Sequence, residues 1–456
     1  MRDGTRQHVL FSSVKSRRVE VLFDEPEATS DGGALLLKQV DQSLGLTASL
    51  ASAMREGRCS AKVRHALLEL VRQRVFGIAC GYVDCNDAGR MSTDPMHGLL
   101  CEKDGELASQ PTLSRFENGV SATTLFRMGL ALMDAVIASQ QRRHRKPRRI
   151  TIDLDGTVDP THGRQQHALF HGFYDTWCYL PLLGFISFDD EKEQHLVAAL
   201  LRRGTAREQQ GGLAVLKRLV AALRVAFPGA EILVRLDAGF EGSELFDLLE
   251  ELDVRFVVAI ASNPKLAVGS VNLLQIARRA AKRSGTTARL FGEQIYRGRK
   301  WSRAACRVIC KAEVVAADEK PLKDNPRYVA TDLRGMKRED VYALYAARGD
   351  VENRIKELKD DLEIDRTSCS SFSANQLRVL LTAAAYVLYQ ELRTRICVRE
   401  EVRPRVSTLR LQLIKIGGRI VQSVRRIVLH LAASHPWRDR WSSIARHCRI
   451  PIAVVG

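Results

Sequence analysis

Arg149-Ile-Thr-Ile-Asp-Leu-Asp155-Gly-Thr157 is a short run rich in β-branched residues that ends in a carboxylate followed by glycine. Glu231-Ile-Leu-Val-Arg-Leu-Asp237-Ala-Gly-Phe240 has the same form. Each reads as a buried strand with an aspartate at its C-terminal mouth, before a glycine-assisted turn. Strand mouths are where α/β folds place their chemistry. An Asp-Gly turn after a strand is also a common structural device, so the surrounding chain has to separate the two readings.

Outward from the first strand, Trp177 to Phe188 and Gln194 to Leu201 are strand-like, and Ala206 to Ala226 is helical. The 231–236 strand follows, then a helix at Ser243 to Leu252 and a strand at Val254 to Ile260. This β-β-β-α-β-α-β order is that of a ribonuclease-H-like core, which places one carboxylate on its first strand, one after its fourth and one on a later helix. The expected fold class is therefore α/β, with that core over residues 147–261 and 336–395. Between the halves, 262–335 is expected to be a β-rich insertion, because Arg289 to Gly298, Ala304 to Ala317 and Arg327 to Thr331 alternate like antiparallel strands. Its Lys300 and Trp301 are candidate DNA contacts.

The later helix is Tyr345-Ala-Ala-Arg348-Gly-Asp-Val-Glu352-Asn-Arg-Ile-Lys-Glu-Leu-Lys359. At about 100° per residue, Tyr345, Arg348, Glu352 and Lys359 fall within an arc of roughly 60° on one helix. A carboxylate flanked by Arg, Lys and Tyr is suited to hold a metal ion beside a phosphate backbone. The same pattern also fits a solvated face with i,i+4 ion pairs. An apolar helix, Ala374 to Arg393, comes next.

Residues 1–146 are expected to be a mostly helical DNA-binding domain, opening with a strand at Arg18 to Phe23. Within it, Ser109-Gln-Pro111-Thr-Leu-Ser-Arg115-Phe-Glu-Asn118 has proline at a helix start. That helix shows Arg115 and other side chains able to bond DNA, as a recognition helix would, although a packing helix fits too. Residues 396–456 read as a basic helical tail, with Arg419, Arg425 and Arg426 on helical spacing near Lys415.

The 456 residues suffice for two to four domains, and the net charge of +17 favours a polyanionic partner. The longest apolar run, Val379 to Tyr389, is too short to span a bilayer, and the N-terminus lacks an apolar signal core. A cytoplasmic, nucleoid-associated bacterial protein is the expectation. The ten cysteines include no CxxC pair, and the loose group Cys80, Cys85, His97 and Cys101 is spaced more widely than a zinc site.

Taken together, these residues resemble the DDE insertion-sequence transposases, whose Tyr-Arg-Glu-Lys signature is similar to Tyr345, Arg348, Glu352 and Lys359. Insertion-sequence family 1380 is the nearest resemblance. It spans nearly the whole chain, through Thr29-Ser-Asp-Gly-Gly33, Gly81-Tyr-Val-Asp-Cys-Asn-Asp87, Ser109 to Asn118, Asp153-Leu-Asp-Gly-Thr157, Phe170-His-Gly-Phe-Tyr174, Arg235-Leu-Asp-Ala-Gly-Phe240, Asp365-Arg-Thr-Ser-Cys369, Asn375-Gln-Leu-Arg378 and Lys415-Ile-Gly417. One departure is Met91-Ser-Thr-Asp-Pro95, where Leu-Arg would precede Asp-Pro.

The resemblance implies Asp155, Asp237 and Glu352 as catalytic and metal-binding residues. Asp153 is a rival for the first position, since it shares a strand face with Asp155. Asp155 is preferred because it directly precedes Gly-Thr. Three carboxylates suit two Mg²⁺ ions, with Mn²⁺ able to substitute, about 4 Å apart in an in-line displacement at phosphorus. Tyr345, Arg348 and Lys359 would hold phosphates and strand ends, and His162 and His171 are expected nearby without an assigned role. The resemblance further implies cut-and-paste transposition by a homodimer on double-stranded DNA, at terminal inverted repeats and a target. The alternatives are a ribonuclease-H-like nuclease that only hydrolyses DNA, or a non-catalytic DNA-binding protein derived from a transposase.

Overall fold

The strand expected at the first acidic run is present as β1 (Arg149–Gly156), inside a nine-stranded sheet. The computed structural model describes residues 9–298, 301, 305–316, 321–396 and 403–447. Along the chain the sheet continues with β2 (Leu182–Phe188), β3 (His195–Leu200), β4 (Glu231–Leu236) and β5 (Arg255–Ile260). It is completed by β6 (Ala288–Tyr296), β7 (Cys306–Val315) and β8 (Arg327–Thr331), with the short strand Lys323–Asp324 beside β7. The spatial order is β6-β7-β8-β5-β4-β1-β2-β3. β4 runs parallel to both β1 and β5, and the remaining neighbours along this path are antiparallel.

Two helices lie on either side of β4 in the chain, α1 (Gln209–Ala226) before it and α2 (Ser243–Glu251) after it. Parallel pairing demands such a crossover, and α2 supplies it between β4 and β5. Alternation then sorts the side chains. Ile150, Ile152, Leu154, Val234 and Leu236 share a core with Leu216 and Leu219 of α1 and Leu245 and Leu249 of α2. On the opposite face, Leu233, Val257, Ile309 and Val329 form a second core with Val341 of α4 (Arg338–Ala346). Thr151, Asp153 and Arg235 share the odd-numbered face with Leu233, and they too are buried. A sheet covered on both faces explains why these strands read as nearly continuous apolar runs.

The segment expected to be a β-rich insertion is built differently. It opens with a 21-residue helix, α3 (Pro264–Ser284), and β6 to β8 extend the central sheet through the β8–β5 pairing. The helix start was readable: Asn263 caps it by accepting from the Leu266 N–H at 3.1 Å, and Pro264 takes the first turn.

The C-terminal region is also corrected. Arg419, Arg425 and Arg426 do not share a helix, because Gly418–Gln422 and Ile427–Leu431 form an antiparallel hairpin. Arg419 sits on a strand opposite His430, and Arg425 and Arg426 lie at the turn. Ile420, Val421, Ile427 and Val428 favour strands, and the preceding Gly417-Gly418 pair is a poor helix former. The hairpin pairs with Ala28–Thr29, so this region is joined to the N-terminal one. Helical pieces remain at Val406–Leu409 and Arg438–His447.

The N-terminal region begins with a hairpin, Val9–Val14 and Arg17–Val21, and is then largely helical up to Arg143. Its last helix, Ala122–Arg143, is long and apolar enough to cross a bilayer by length and composition alone. Here it packs against β3, α1 and the long helix α6 (Phe372–Ile396). α6 is buried along almost its whole length, and its glutamines protect the edge strand β3. Gln390 accepts from the Leu196 N–H at 3.0 Å, and Gln376 accepts from the Leu201 N–H at 2.6 Å.

Candidate active site

The β1–β4 register sets Asp153 opposite Arg235. Two residues further along each strand, Asp155 and Asp237 emerge at the C-terminal ends of these neighbouring strands and on the same face. The lower rung is closed. Arg235 donates to both oxygens of Asp153, at 2.8 and 2.7 Å, and both side chains are buried. The upper rung opens into a cavity of about 530 Å³ lined by Asp155, Asp237 and Glu352, among others. The register thus places Asp155, not its rival Asp153, on the cavity wall.

Glu352 arrives from the other side of the fold. The expected single helix is three joined segments: α4, a 3₁₀ turn at Ala347–Gly349, and α5 (Asp350–Leu362). The tighter turn changes the helical phase. Glu352 and Lys359 line the cavity, whereas Tyr345 does not, packing instead beside Tyr342 with ring centroids 6.0 Å apart. α5 is fixed from behind by Glu357, which is buried, accepts from the Tyr386 hydroxyl at 2.8 Å and pairs with Arg393.

Arg348 is the central cation. Its Nη2 lies 2.8 Å from Asp155 Oδ1 and 3.6 Å from Asp237 Oδ2, with only 9% of its side chain exposed. In this arrangement it neutralises the carboxylates and is not free to grip a phosphate. Lys359 is likewise engaged, donating to the Val158 carbonyl at 2.7 Å and lying 3.3 Å from Asp365. It therefore braces the loop after β1. Lys356, exposed at the cavity wall, is a further basic side chain there.

Burial drives the Asp155 carboxyl up to about 6; Asp237 and Glu208 push in the same direction, and Arg348 opposes them. Glu208 is a site residue that sequence reasoning missed. It lines the same cavity and is oriented by buried Arg202, whose Nη2 is 2.8 Å from Glu208 Oε2. Glu208 lies in the turn before α1, eight residues past the end of β3 and not at its mouth, so neither periodicity nor motif marked it. Tyr174, Lys356 and Asp360 are further wall residues that were not singled out, although Tyr174 belongs to the quoted Phe170–Tyr174 stretch.

The remaining candidates lie elsewhere. His162 lines a separate cavity with Asp365 and Arg366. His171 packs its ring 5.0 Å from that of Tyr174. Arg115 is exposed on the helix Gln110–Asn118, its Nη2 donating to Thr112 Oγ1 at 3.3 Å, and it is not part of the cavity. Trp301 is corrected as a DNA contact. It is only 6% exposed, tilted against Phe246 and edge-on to Tyr296, because an indole beside two rings gains more by burial than by exposure. Lys300 lies outside the described residues.

The donor set suits hard divalent cations: Asp155, Asp237, Glu352 and Glu208 offer only carboxylate oxygens, the ligands that Mg²⁺ and Mn²⁺ accept. The buried Arg348 guanidinium stands where positive charge is needed. Away from this cavity, Asp31, Cys80 and His97 bring potential ligand atoms within 4.8 Å of one another. There Lys415 Nζ already lies 2.7 Å from Asp31, His97 Nε2 lies 3.1 Å from it, and burial pushes the Cys80 thiol well above its ordinary range. That group reads as a neutralised structural cluster, since metal ligation needs a thiolate.

Compared with known proteins, residues 11–450 match the family model described as transposase DDE domain group 1. No curated protein matches the chain.

Proposed function

The chain belongs to the DDE transposases of that group, and from this premise we propose that it excises and inserts an insertion sequence by metal-dependent phosphoryl transfer. Asp155, Asp237 and Glu352 would carry the chemistry, on a ribonuclease-H-like core formed by β1 to β5 and the α5 helix. The observation that carries this reading is the convergence of two strand-mouth aspartates, 82 residues apart in register, with the glutamate of a distant helix in one cavity.

Bound divalent metal, Mg²⁺ or Mn²⁺, would activate the attacking oxygen and neutralise charge on the phosphorus and leaving group. Asp155, Asp237 and Glu352 would hold it, with Glu208 and Asp360 as further carboxylates on the wall. Arg348 keeps the two aspartates from repelling one another before metal enters. With a metal ion neutralising those carboxylates instead, the Arg348 guanidinium would be available to a phosphate oxygen. Lys356 offers a second cationic contact at the wall, and Lys359 fixes the Asp155–Val158 turn that aims the first carboxylate.

The spacing of Tyr345, Arg348, Glu352 and Lys359 supports assignment to insertion-sequence family 1380. The partners would be double-stranded DNA at terminal inverted repeats and a target site, engaged by a homodimer in cut-and-paste transposition. The net charge of +17 fits such a polyanionic partner.

The test is an excision assay in Mg²⁺ on a plasmid carrying the DNA that flanks this reading frame, comparing the natural chain with Glu352→Gln. Release of the element by the natural chain alone supports the reading. Equal release by both would remove Glu352 from the chemistry, and release by neither with end binding retained would favour a non-catalytic DNA-binding protein.

A further inference from the structure

Six aromatic side chains count as exposed among the described residues: Phe23, Phe126, Phe170, Phe173, Tyr174 and Trp177. Four of the six belong to one small hairpin whose strands are Leu169–His171 and Thr176–Tyr179. Phe173 is 84% exposed and Trp177 56%. Rings that bury apolar area elsewhere in this chain are here turned outward in a group, which is the signature of a contact surface.

The hairpin is built to hold them still. Phe170 and Trp177 are cross-strand partners with ring centroids 6.3 Å apart, and Phe173 meets Tyr174 edge-on at 5.0 Å. The inward residues anchor it: Cys178 and Tyr179 are buried, and the Tyr179 hydroxyl donates to the Gln166 carbonyl at 2.6 Å. The 202–208 segment packs alongside, with Arg203 bridged to Tyr179 and Gly204 too close to the Leu169 and Cys178 carbonyls to carry a side chain. That segment also carries two exposed cations, Arg203, whose backbone is bridged to Tyr179, and Arg207. Tyr174 joins the platform to the chemistry, since it lines the cavity of Asp155, Asp237 and Glu352.

Exposed aromatic faces on a small sheet that also carries an exposed arginine and reaches a carboxylate-lined cavity suit one ligand class above others: nucleic acid whose bases are out of the helix. In a duplex the base faces are covered by their neighbours, so rings gain little from paired DNA. Unpaired bases expose those faces, and stacking on aromatic side chains accepts any base while cations neutralise the backbone. We propose that the Leu169–Tyr179 hairpin is a stacking platform for unpaired nucleobases at the DNA end engaged by the carboxylate cavity. This rests on the reading that the cavity cuts DNA.

The test uses the full chain and a duplex from the DNA flanking the reading frame, carrying 2-aminopurine in a short unpaired tip, against a fully paired control. The natural chain should quench the 2-aminopurine and bind the frayed duplex about ten-fold more tightly than the paired one. Phe173→Ala combined with Trp177→Ala should lose that preference and the quenching, while keeping paired-duplex binding and the melting temperature. Trp177→Phe, which retains a ring, should keep most of both. An undiminished preference in the double variant, or no preference in the natural chain, overturns the platform while leaving the DNA-cleaving reading intact. Failure of the natural chain to bind either DNA overturns both.

Discussion

The carboxylate of Glu208 lies against the α-carbon of Gly156, so that a Cβ there would meet its two oxygens at 2.6 and 2.7 Å. Gly239, two residues after Asp237, faces the Cγ of the same glutamate, at 2.7 Å from the position of a Cβ. The glycine following each acidic strand is thus required less for its turn than for the room that Glu208 occupies. Gly156→Ala should displace the Glu208 carboxylate and lower cleavage at least ten-fold. Glu208→Gln should lower cleavage with little change in melting. Wild-type cleavage by Glu208→Gln would leave Glu208 a structural partner of Arg202 alone.

Asp153 and Asp155 are separated by what removing each one does. Asp153→Ala strands the Arg235 guanidinium in the core, a change that costs about 3–5 kcal/mol, read as a lower denaturant midpoint. Asp155→Asn leaves a partly open wall and should fold normally without cleaving. Reversal of these two phenotypes would make Asp153 the catalytic residue.

The raised Asp155 carboxyl makes metal binding depend on pH. Its proton is bound below about 6 and must leave before the oxygen can take a cation. Divalent affinity should therefore be flat above pH 6 and fall by up to ten-fold per unit below it. Calorimetric Mn²⁺ titrations at several pH values measure this, and a flat profile from pH 5 to 8 would contradict the assignment.

Arg348→Ala should leave Asp155 and Asp237 facing each other without their shared cation. The metal-free protein should melt lower than the natural chain, and added Mn²⁺ should raise its melting temperature by more. Equal metal-induced shifts in the two proteins would show that Arg348 does not shield these carboxylates.

Asp159 supplies a pH effect on stability. It is fully buried, accepts from Thr367 Oγ1 at 3.1 and 2.8 Å, and burial pushes its carboxyl from 3.8 up to about 8. The folded state therefore holds a proton that the unfolded chain releases near pH 4. The stabilisation is complete below pH 4 and is lost as pH rises towards 8, by at most about 1.4 kcal/mol per unit. Asp159→Asn should remove that slope, as chemical denaturation at pH 5, 6.5 and 8 would show.

Local patterns carried much of this structure into the sequence. β1, β4 and β5 were readable because a buried strand is a short β-branched run ended by turn residues, and α2 and α6 because their apolar positions recur at helical spacing. The candidate site was legible where its residues belong to such elements: Asp155 and Asp237 stand at strand ends, and Glu352 in the first turn of a helix. The misreadings have local causes too. Basic spacing near Arg419 suggested a helix although the β-branched residues between the arginines favour a hairpin, and the Asn263-Pro264 start of α3 was overlooked among strands.

What the chain determines by itself is therefore which segments are strands and helices and which acids end them, because those preferences act over a few residues. Tertiary structure decided the rest. Asp153 and Asp155 share one strand face, and only the Gly-Thr that follows the second separates them in sequence; Arg235, brought alongside by the β1–β4 register, closes off the first and leaves the second open. Glu208 enters the cavity only because Arg202 and the two glycines shape its approach, and Trp301 is buried while Trp177 is exposed only because Phe246 and Tyr296 cover the former. Burial and pairing across long chain separations depend on neighbours that no local window contains.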